Sequence, residues 1–274
     1  MQHYRSKDLS GRTILIAPSA LRALIVELER YGARVICWPD IEIGHPEKFT
    51  ALDEAIENLF GYDWLIFRNI NAVDCFRRRF RELGRDMSDL DALSVCAIGE
   101  ATKVRLEAFR IHVDVIPDRL SSVSALGAIE RYVGGRDSLA GMNFLIPRAA
   151  IASDSLTRSL EAAGARGDEV TTYSTCAADN PDLAQIKGLL SGGGIDCISF
   201  AESSEVRDLA TVFDTNDLCL LLDGVVVACM DESTAKTTEQ FDVHVDIRPT
   251  HATGEALAQA VSDYVGLNGA IADH

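Results

Sequence analysis

Short apolar runs alternate with amphipathic segments along the chain. Four runs predict buried strands: residues 13–17, 34–38, 63–67 and 93–98. After the first run, apolar side chains recur at the spacing of one helix face: Leu21, Leu24, Ile25 and Leu28. We expect Ser19 to cap this helix, Gly32 to end it, and another helix around residues 73–83. Strands that alternate with helices predict an α/β fold with mostly parallel sheets.

The two halves of the chain are similar to each other at a nearly constant separation. Residues 62–67 match residues 195–200, and Val73 matches Val206, with a separation of 133 positions. Further pairs are 132 positions apart: residues 32–34 and 164–166, 97–102 and 229–234, 112–115 and 244–247, and Pro117 and Pro249. This pattern predicts an internal duplication of one α/β unit. We expect the two similar sheets to face each other across a cleft. Since ligands of such sheets bind at the carboxyl ends of parallel strands, this cleft is the expected binding site.

Composition and charge narrow the possible partners. The chain has 274 residues, 47% hydrophobic and 25% charged, so we expect one large or two medium globular domains. The formal net charge of −16 argues against nucleic acid and anionic membranes as partners, and mildly against a strongly anionic ligand. Residues 1–12 are polar and unlike a signal peptide, and the most apolar run, residues 218–230, is short and contains Asp223. We therefore expect a cytoplasmic protein that does not span a membrane.

Several common reactive sites have no counterpart in the sequence. The seven cysteines occur singly and the six histidines do not cluster with them, so we expect buried reduced thiols and no zinc site. The sequence contains no P-loop, no dinucleotide-binding glycine motif, no nucleophile elbow and no HExxH motif. A basic run at residues 77–79, with Arg81 and Arg85, lies on a predicted helix. A solvated face is its ordinary interpretation, and capture of an anion is the alternative.

Four predicted turns between a strand and a helix carry small polar residues: residues 67–71, 98–102, 200–204 and 230–234. Backbone N–H groups at a helix N-terminus can hold a carboxylate or a phosphate without a basic surface. The pattern therefore favours a local anion site at the strand ends despite the negative net charge. The alternative interpretation is that these residues only cap their helices.

In these blocks and in their order, the chain resembles the uroporphyrinogen-III synthase family from about residue 11 to residue 265. The matching blocks are the opening strand at residues 11–16, the strand and turn at 62–73, the Gly-x-x-Thr turn at 97–102, the strand at 145–148, the pair Thr172 and Tyr173, and the helix start at 253–257. The resemblance implies two flavodoxin-like lobes with parallel sheets, joined by a two-stranded ladder with crossings near residues 38–43 and 171–176. Lobe 1 would comprise residues 1–38 and 175–274, and lobe 2 residues 39–174.

The resemblance also implies a lyase of tetrapyrrole, porphyrin and heme biosynthesis. Members of the family cyclise linear hydroxymethylbilane to uroporphyrinogen III, with loss of water and inversion of ring D, and they use no metal or organic cofactor. The implied partner is this small-molecule polycarboxylate tetrapyrrole, held in the cleft between the lobes of an expected monomer. Tyr173 is the implied catalytic weak acid; its alternative is a structural residue with the hydroxyl in solvent. The implied substrate-binding residues are Asn71, Gly99, Thr102, Arg148, Ser203, Ser204 and Thr234.

Four turns depart from the family pattern. Residues 17–19 lack the arginine that commonly ends the first strand, and residues 68–69 and 201–202 replace two Thr-Ser pairs with Arg-Asn and Ala-Glu. Asp231 and Glu232 stand in the second Gly-x-x-Thr turn, and such acidic residues repel a polycarboxylate. Whether these turns permit catalysis stays open at this point. The alternatives are a homologue that lost the chemistry and acts as a tetrapyrrole or metabolite sensor or regulator, and an unrelated two-lobed anion-binding protein.

Overall fold

The computed structural model describes residues 8–40, 43–150, 155–175 and 181–269. The chain forms two compact units. The first unit contains Met1–Ile41, Asp179–Val212 and Leu218–His274, and the second unit contains Glu42–Ala178 and Phe213–Asp217.

Strands and helices alternate through the described residues. The strands are β1 (Thr13–Ile16), β2 (Arg34–Cys37), β3 (Ile43–Gly44), β4 (Trp64–Phe67), β5 (Ser94–Ala97), β6 (Asn143–Ala149), β7 (Arg166–Thr175), β8 (Cys197–Phe200) and β9 (Val226–Cys229). The helices are α1 (Arg22–Arg30), α2 (Thr50–Glu57), α3 (Ile70–Glu82), α4 (Glu100–Ala108), α5 (Ser122–Val133), α6 (Ser155–Glu161), α7 (Pro181–Ser191), α8 (Ser203–Val212), α9 (Leu218–Leu221), α10 (Glu232–Gln240) and α11 (Gly254–Gly269). The α/β class predicted from the alternation is confirmed.

The sheet of the first unit is parallel throughout, in the spatial order β2-β1-β8-β9. A single further bridge joins Ala228 of β9 to Ile247. The core of this unit combines strand residues with one face of α1 and one face of α11, which pack together. Leu24 and Leu28 of the predicted apolar face are fully buried in this core.

The start of α1 differs from the prediction. The helix begins at Arg22, with Leu21 at the position of the cap and no capping hydrogen bond from that side chain. Ser19 lies too far upstream, because a capping side chain must directly precede the first helical residue. The Ser19 hydroxyl instead donates to the Glu205 carboxylate at 3.3 Å. The prediction that Ser19 caps this helix is therefore wrong.

The sheet of the second unit has the order β3-β7-β6-β4-β5. Only β3 is antiparallel, with Ile43 opposite Thr175, among the strands that the structure describes in this sheet. Successive residues of β4 point to opposite faces: Leu65 and Phe67 belong to one core cluster, and Trp64 and Ile66 to the other. Because both faces are buried, the strand is apolar throughout rather than alternating.

The two sheets share a strand order and a pattern of hydrogen bonds. When the strands are matched as in the sequence repeat, the order β2-β1-β8-β9 of the first sheet corresponds to β7-β6-β4-β5 of the second, although β6 and β7 come last in their sheet and β1 and β2 come first in theirs. Asp114 accepts the N–H of Val95 at 2.8 Å, and Asp246 accepts the N–H of Val227 at 2.8 Å. In both sheets an aspartate from a loop thus accepts a backbone hydrogen bond from the last strand in the order, β5 or β9.

The cysteines match the expectation of buried thiols in most cases. Four are buried and free: Cys75, Cys96, Cys197 and Cys229. Burial raises the pKa of Cys96 to about 12, so this thiol stays protonated and unreactive. Cys37 is exposed, contrary to the expectation, and Cys176 lies outside the described residues. In the part of the chain that the structure describes, no group of His, Cys, Asp and Glu is suited to a metal ion, and no helix is long and apolar enough to cross a membrane.

Candidate functional site

Polar side chains meet at the carboxyl ends of β4, β6 and β7 in the second unit. Asn69 follows β4 and caps α3, because its side-chain oxygen accepts the N–H of Ala72 at 2.9 Å. The side-chain nitrogen of Asn69 donates to the Tyr173 hydroxyl at 3.0 Å. One residue of an altered turn therefore fixes both the start of a helix and the hydroxyl of the predicted catalytic residue.

Tyr173 lies in β7 opposite Ala149, where the register between β6 and β7 shifts. Its side chain is fully buried, so the alternative of a hydroxyl in solvent does not hold. The hydroxyl donates to Asp214 Oδ1 at 3.0 Å. Burial, together with the charge of Asp214, raises the pKa of Tyr173 well above its ordinary value. The Tyr173 hydroxyl is therefore a weaker acid than an ordinary phenol and stays protonated at neutral pH.

Asp214 is buried beside Tyr173 and accepts hydrogen bonds on both oxygens. Its Oδ2 accepts the N–H of Ala149 at 3.2 Å. Burial raises the pKa of the Asp214 carboxyl, and the positive charge of the buried Arg68 opposes that shift. Arg68, which replaces a small polar residue of the family pattern, thus supplies local compensation for a buried acid.

A second carboxylate, Asp217, lies at the N-terminus of α5. It accepts the N–H of Ser122 at 2.8 Å and the Ser122 hydroxyl at 2.7 Å, and it also accepts the Ser155 hydroxyl. Negative charge is favourable here, because the first N–H groups of a helix have no partner within it. Asp214 and Asp217 both belong to the 213–217 segment, which is buried in the second unit. The chain's own carboxylates therefore occupy donor groups along this edge of the sheet.

The other predicted residues of this unit lie at neighbouring strand ends. Gly99 precedes α4 with a φ of +95°, and a Cβ built there would lie 2.7 Å from Leu120 Cδ2. The Thr102 hydroxyl is buried and donates to the Ile98 carbonyl at 3.0 Å. Asn71 lies half-buried in the first turn of α3. Glycine is thus required by the backbone at position 99, and the hydroxyl of Thr102 is already used by its own helix.

Arg148 lies in β6, next to the strand that carries Tyr173. Its guanidinium pairs with Glu169 at 3.1 Å, and its carbonyl accepts the Thr172 hydroxyl at 3.0 Å. The positive charge of Arg148 also acts to lower the pKa of Asp214. The structure therefore brings Arg148 and Tyr173 together around one buried carboxylate.

In the first unit, the structure brings the remaining predicted residues together at the ends of β8 and β9. The hydroxyls of Ser203 and Ser233 are 3.3 Å apart. Thr234 donates its N–H to the Asp231 carboxylate at 2.8 Å, and hydrogen bonds from Thr234 lower the pKa of Asp231. The Ser204 hydroxyl donates to Glu202 at 3.3 Å. The acidic residues of the altered turns therefore act as local acceptors.

Glu205 completes this arrangement from the first turn of α8. It is 2% exposed and accepts the N–H of Ala201 at 2.6 Å. Burial raises the pKa of Glu205, while its hydrogen bonds oppose the shift. The donor groups that the sequence suggested for a substrate carboxylate are thus partly taken by carboxylates of the chain in this unit as well.

Comparisons with known proteins decide the family. A family model described as uroporphyrinogen-III synthase HemD matches residues 22–259. The chain belongs to the uroporphyrinogen-III synthase family. A uroporphyrinogen-III synthase of Synechococcus elongatus is 29% identical over 265 residues, covering 94% of this chain and 97% of that relative. A uroporphyrinogen-III synthase of Chlorobaculum parvum is 23% identical, covering 92% of this chain and 98% of the relative.

Solved structures of uroporphyrinogen-III synthases share the fold. One structure of the Thermus thermophilus enzyme has a TM-score of 0.54 at 16% identity, covering 92% of this chain and 98% of that one. Another from the same organism has a TM-score of 0.51, covering 94% and 99%. At this level of identity the likeness shows the fold alone, an α/β architecture with parallel sheets.

The structure adds four residues that the resemblance to the synthase family did not indicate: Ser122, Ser155, Asp214 and Asp217. A signal for the two acids exists in the sequence, because they lie in the polar stretch 214–217, directly before the apolar run that begins at Leu218. Their partners could not be found in this way. Ser122 and Asp217 are separated by 95 positions, and only the tertiary fold brings them into contact.

Proposed function

We propose that the protein is a uroporphyrinogen-III synthase that cyclises hydroxymethylbilane to uroporphyrinogen III, with inversion of ring D and loss of water. The observation that carries this proposal is the family match over residues 22–259, which includes both halves of the sequence repeat. The matched relatives give no support to a sensing or regulatory role. A monomeric, cytoplasmic enzyme without a metal or an organic cofactor stays a prediction.

The chemistry requires control of conformation more than strong acid catalysis. Departure of the hydroxyl leaves a reactive azafulvene, which closes without help to the wrong isomer. A protein that fixes one folded conformer can supply up to about 7–11 kcal/mol by orientation alone. A buried phenol that stays protonated suits the modest remaining task of protonating the departing hydroxyl. Tyr173 is our candidate for that step, supported by the hydroxyl that Asn69 and Asp214 hold in place.

Substrate carboxylates would bind to backbone N–H groups and hydroxyls at the strand ends. The candidates remain those named from the sequence: Asn71, Gly99, Thr102, Arg148, Ser203, Ser204 and Thr234. Their present contacts support different roles. Ser203 and Ser204 carry half-exposed and exposed hydroxyls that can reach a ligand. Thr102 and Thr234 are buried, and their N–H groups already donate to the Gly99 carbonyl and the Asp231 carboxylate, so we propose that they shape their turns.

We also propose that an internal duplication produced the two units, each derived from a flavodoxin-like lobe. The shared strand order and the paired hydrogen bonds of Asp114 and Asp246 support this origin. With the bridge at Ile247 as the fifth position, the first sheet has the order 2-1-3-4-5 of that fold. With the bridge at Val115, the second sheet has the same arrangement of corresponding strands, but in a circularly permuted chain order. The antiparallel pairing of β3 with β7 supports the proposed ladder.

A coupled assay tests the function. Freshly generated hydroxymethylbilane is given to the purified full-length protein, and the porphyrin isomers are separated after oxidation. We expect type III product above the type I background of a reaction without protein. Type I product alone, from a sample that circular dichroism shows to be folded, would overturn the proposal.

A further inference from the structure

A cavity of about 480 Å³ lies on the second unit beside the C-terminal ends of α3 and α4. Four arginines line it: Arg77, Arg81, Arg85 and Arg110. Helix α3 starts at the carboxyl end of β4 and runs back along the sheet. The cavity therefore lies near the amino ends of the strands, whereas Tyr173 lies at their carboxyl ends. It is therefore separate from the candidate site for the tetrapyrrole.

Two of these arginines are held in place by the fold. The guanidinium carbon of Arg77 lies 3.9 Å from the centre of the Phe109 ring, which fixes the plane of the charged group. Arg85 donates to the carbonyls of Ile56 and Glu57 at 3.1 and 3.2 Å. Fixed guanidinium groups lose little conformational freedom when an anion binds.

The other two arginines are exposed at the rim. The side chains of Arg81 and Arg110 make no hydrogen bond or ion pair with any residue that the structure describes. Arg110 follows α4 with a φ of +64°, in the left-handed region where glycine is the usual residue after a helix. Asp242, the corresponding residue of the other half, has a φ of +59°, so this turn adopts the left-handed region in both units. The backbone conformation is thus common to both halves, and Arg110 differs from its counterpart in the charge of its side chain.

The sequence repeat provides an internal control for this cluster. At separations of 133 and 132 positions, the four arginines correspond to Ala210, Asp214, Leu218 and Asp242 in the other half. Helices α8 and α10 end without a basic residue in the last turn, whereas α3 and α4 each have one or more. Compensation of helix dipoles thus does not require arginines in this fold. The cluster belongs to one half only, as a ligand site would.

We propose that this cavity binds a small organic phosphate, whose dianionic group lies between Arg77, Arg81 and Arg110. The guanidinium fork matches the spacing of phosphate oxygens. Two acids, Asp86 and Asp91, also line the cavity, and the four arginines outnumber them. The volume is that of a small-molecule site, and Met87 and Phe109 offer apolar contact to the organic part. This site is independent of the proposed synthase activity.

Isothermal titration of glycerol 2-phosphate into the full-length protein tests the proposal. We expect saturable one-site binding that weakens at high salt, and about tenfold weaker binding for the double variant Arg81→Ala, Arg110→Ala. Arg22→Ala, which removes an exposed arginine of the first unit, is the matched control and leaves the affinity unchanged. No saturable binding to the unmodified protein, or equal affinity of the double variant, overturns the proposal. Malonate binding as tightly as glycerol 2-phosphate overturns the assignment to phosphate.

A second variant separates a binding role from a structural one. Arg110→Gly removes the charge and relieves the positive φ, so we expect Tm to rise by about 2 °C while the affinity falls, by less than in the double variant. A structural arginine would not give these opposite changes. Unchanged affinity for glycerol 2-phosphate in Arg110→Gly contradicts the proposal. Because binding is measured without turnover, this result does not depend on the outcome of the coupled assay.

Discussion

The Tyr173 hydroxyl donates to Asp214 Oδ1 at 3.0 Å, and both side chains are buried. In this state the proton of the phenol points at a carboxylate of the chain itself. Under the proposed function, the hydroxyl must exchange this acceptor for the departing hydroxyl of the substrate. The hydrogen bond between Tyr173 and Asp214 therefore belongs to the protein without substrate. A substitution at Tyr173 is expected to change both this bond and the proposed reaction.

Tyr173→Phe should lower turnover without unfolding the protein. Removal of the proton donor is expected to slow formation of type III product by roughly 100-fold. The loss of two buried hydrogen bonds, to Asp214 and from Asn69, should also destabilise the fold by about 1–2 kcal/mol. The coupled assay and urea unfolding measure the two effects. Tyr62→Phe, which removes a hydroxyl that donates to Asp168 at 2.9 Å, serves as the control; an unchanged rate in Tyr173→Phe removes Tyr173 from the mechanism.

Asp217→Ala should destabilise the second unit. The change leaves the Ser122 N–H and the hydroxyls of Ser122 and Ser155 without their buried acceptor, at a cost of about 2–3 kcal/mol. Urea unfolding measures the loss. Asp223→Ala removes an exposed carboxylate close in the sequence and should change stability by less than about 0.5 kcal/mol. Equal stability of the two variants would contradict the role given to Asp217.

Glu205 should make stability depend on pH. Because burial raises its pKa in the folded state, the folded protein binds a proton that the unfolded chain has already lost. The contribution of Glu205 to stability therefore falls as pH rises from its ordinary pKa of 4.5 through the raised value. Glu205→Gln lacks this dependence, so its stability should gain on that of the unmodified protein as pH rises. Urea unfolding at a series of pH values tests this, and parallel curves would rule it out.

Gly99→Ala should destabilise the turn before α4. The φ of +95° disfavours any L side chain, and the new Cβ would lie 2.7 Å from Leu120 Cδ2, so we expect a loss of about 2 kcal/mol. Gly61→Ala is the matched control, since a Cβ there has no neighbour within 4 Å among the described residues. Thermal unfolding compares the two. A Tm for Gly99→Ala equal to that of Gly61→Ala would contradict this account.

Local patterns in the sequence were sufficient for the class of fold. Apolar runs such as residues 64–67 predict strands buried on both faces, and β4 is such a strand. The error at Ser19 has a local cause as well. A serine near a helix start can cap it only from one position, and a sequence pattern leaves the exact start uncertain by more than one residue.

The site was less predictable, because its key contacts join distant parts of the chain. Tyr173 could be named from its block, but its acceptor Asp214 lies 41 positions away in a segment without a motif. Asp231 could be recognised as an unusual acid. Its role as the N-cap of α10, where it accepts the N–H of Thr234, depends on the backbone geometry of the turn. Burial and hydrogen bonding, not residue type, decide whether such an acid repels a ligand.

The position of β1 between β2 and β8 has a consequence for synthesis on the ribosome. Strand β2 follows β1 almost at once, but β8 emerges only after the whole of residues 42–178 has been made. Until then one edge of β1 is unpaired. Arg12 also has no ion pair at that stage, because its partner Asp196, at 2.7 Å in the complete fold, has not yet been made. The unit that contains β1 is thus completed last, and the open edge of β1 is free to pair with another chain until β8 has been made.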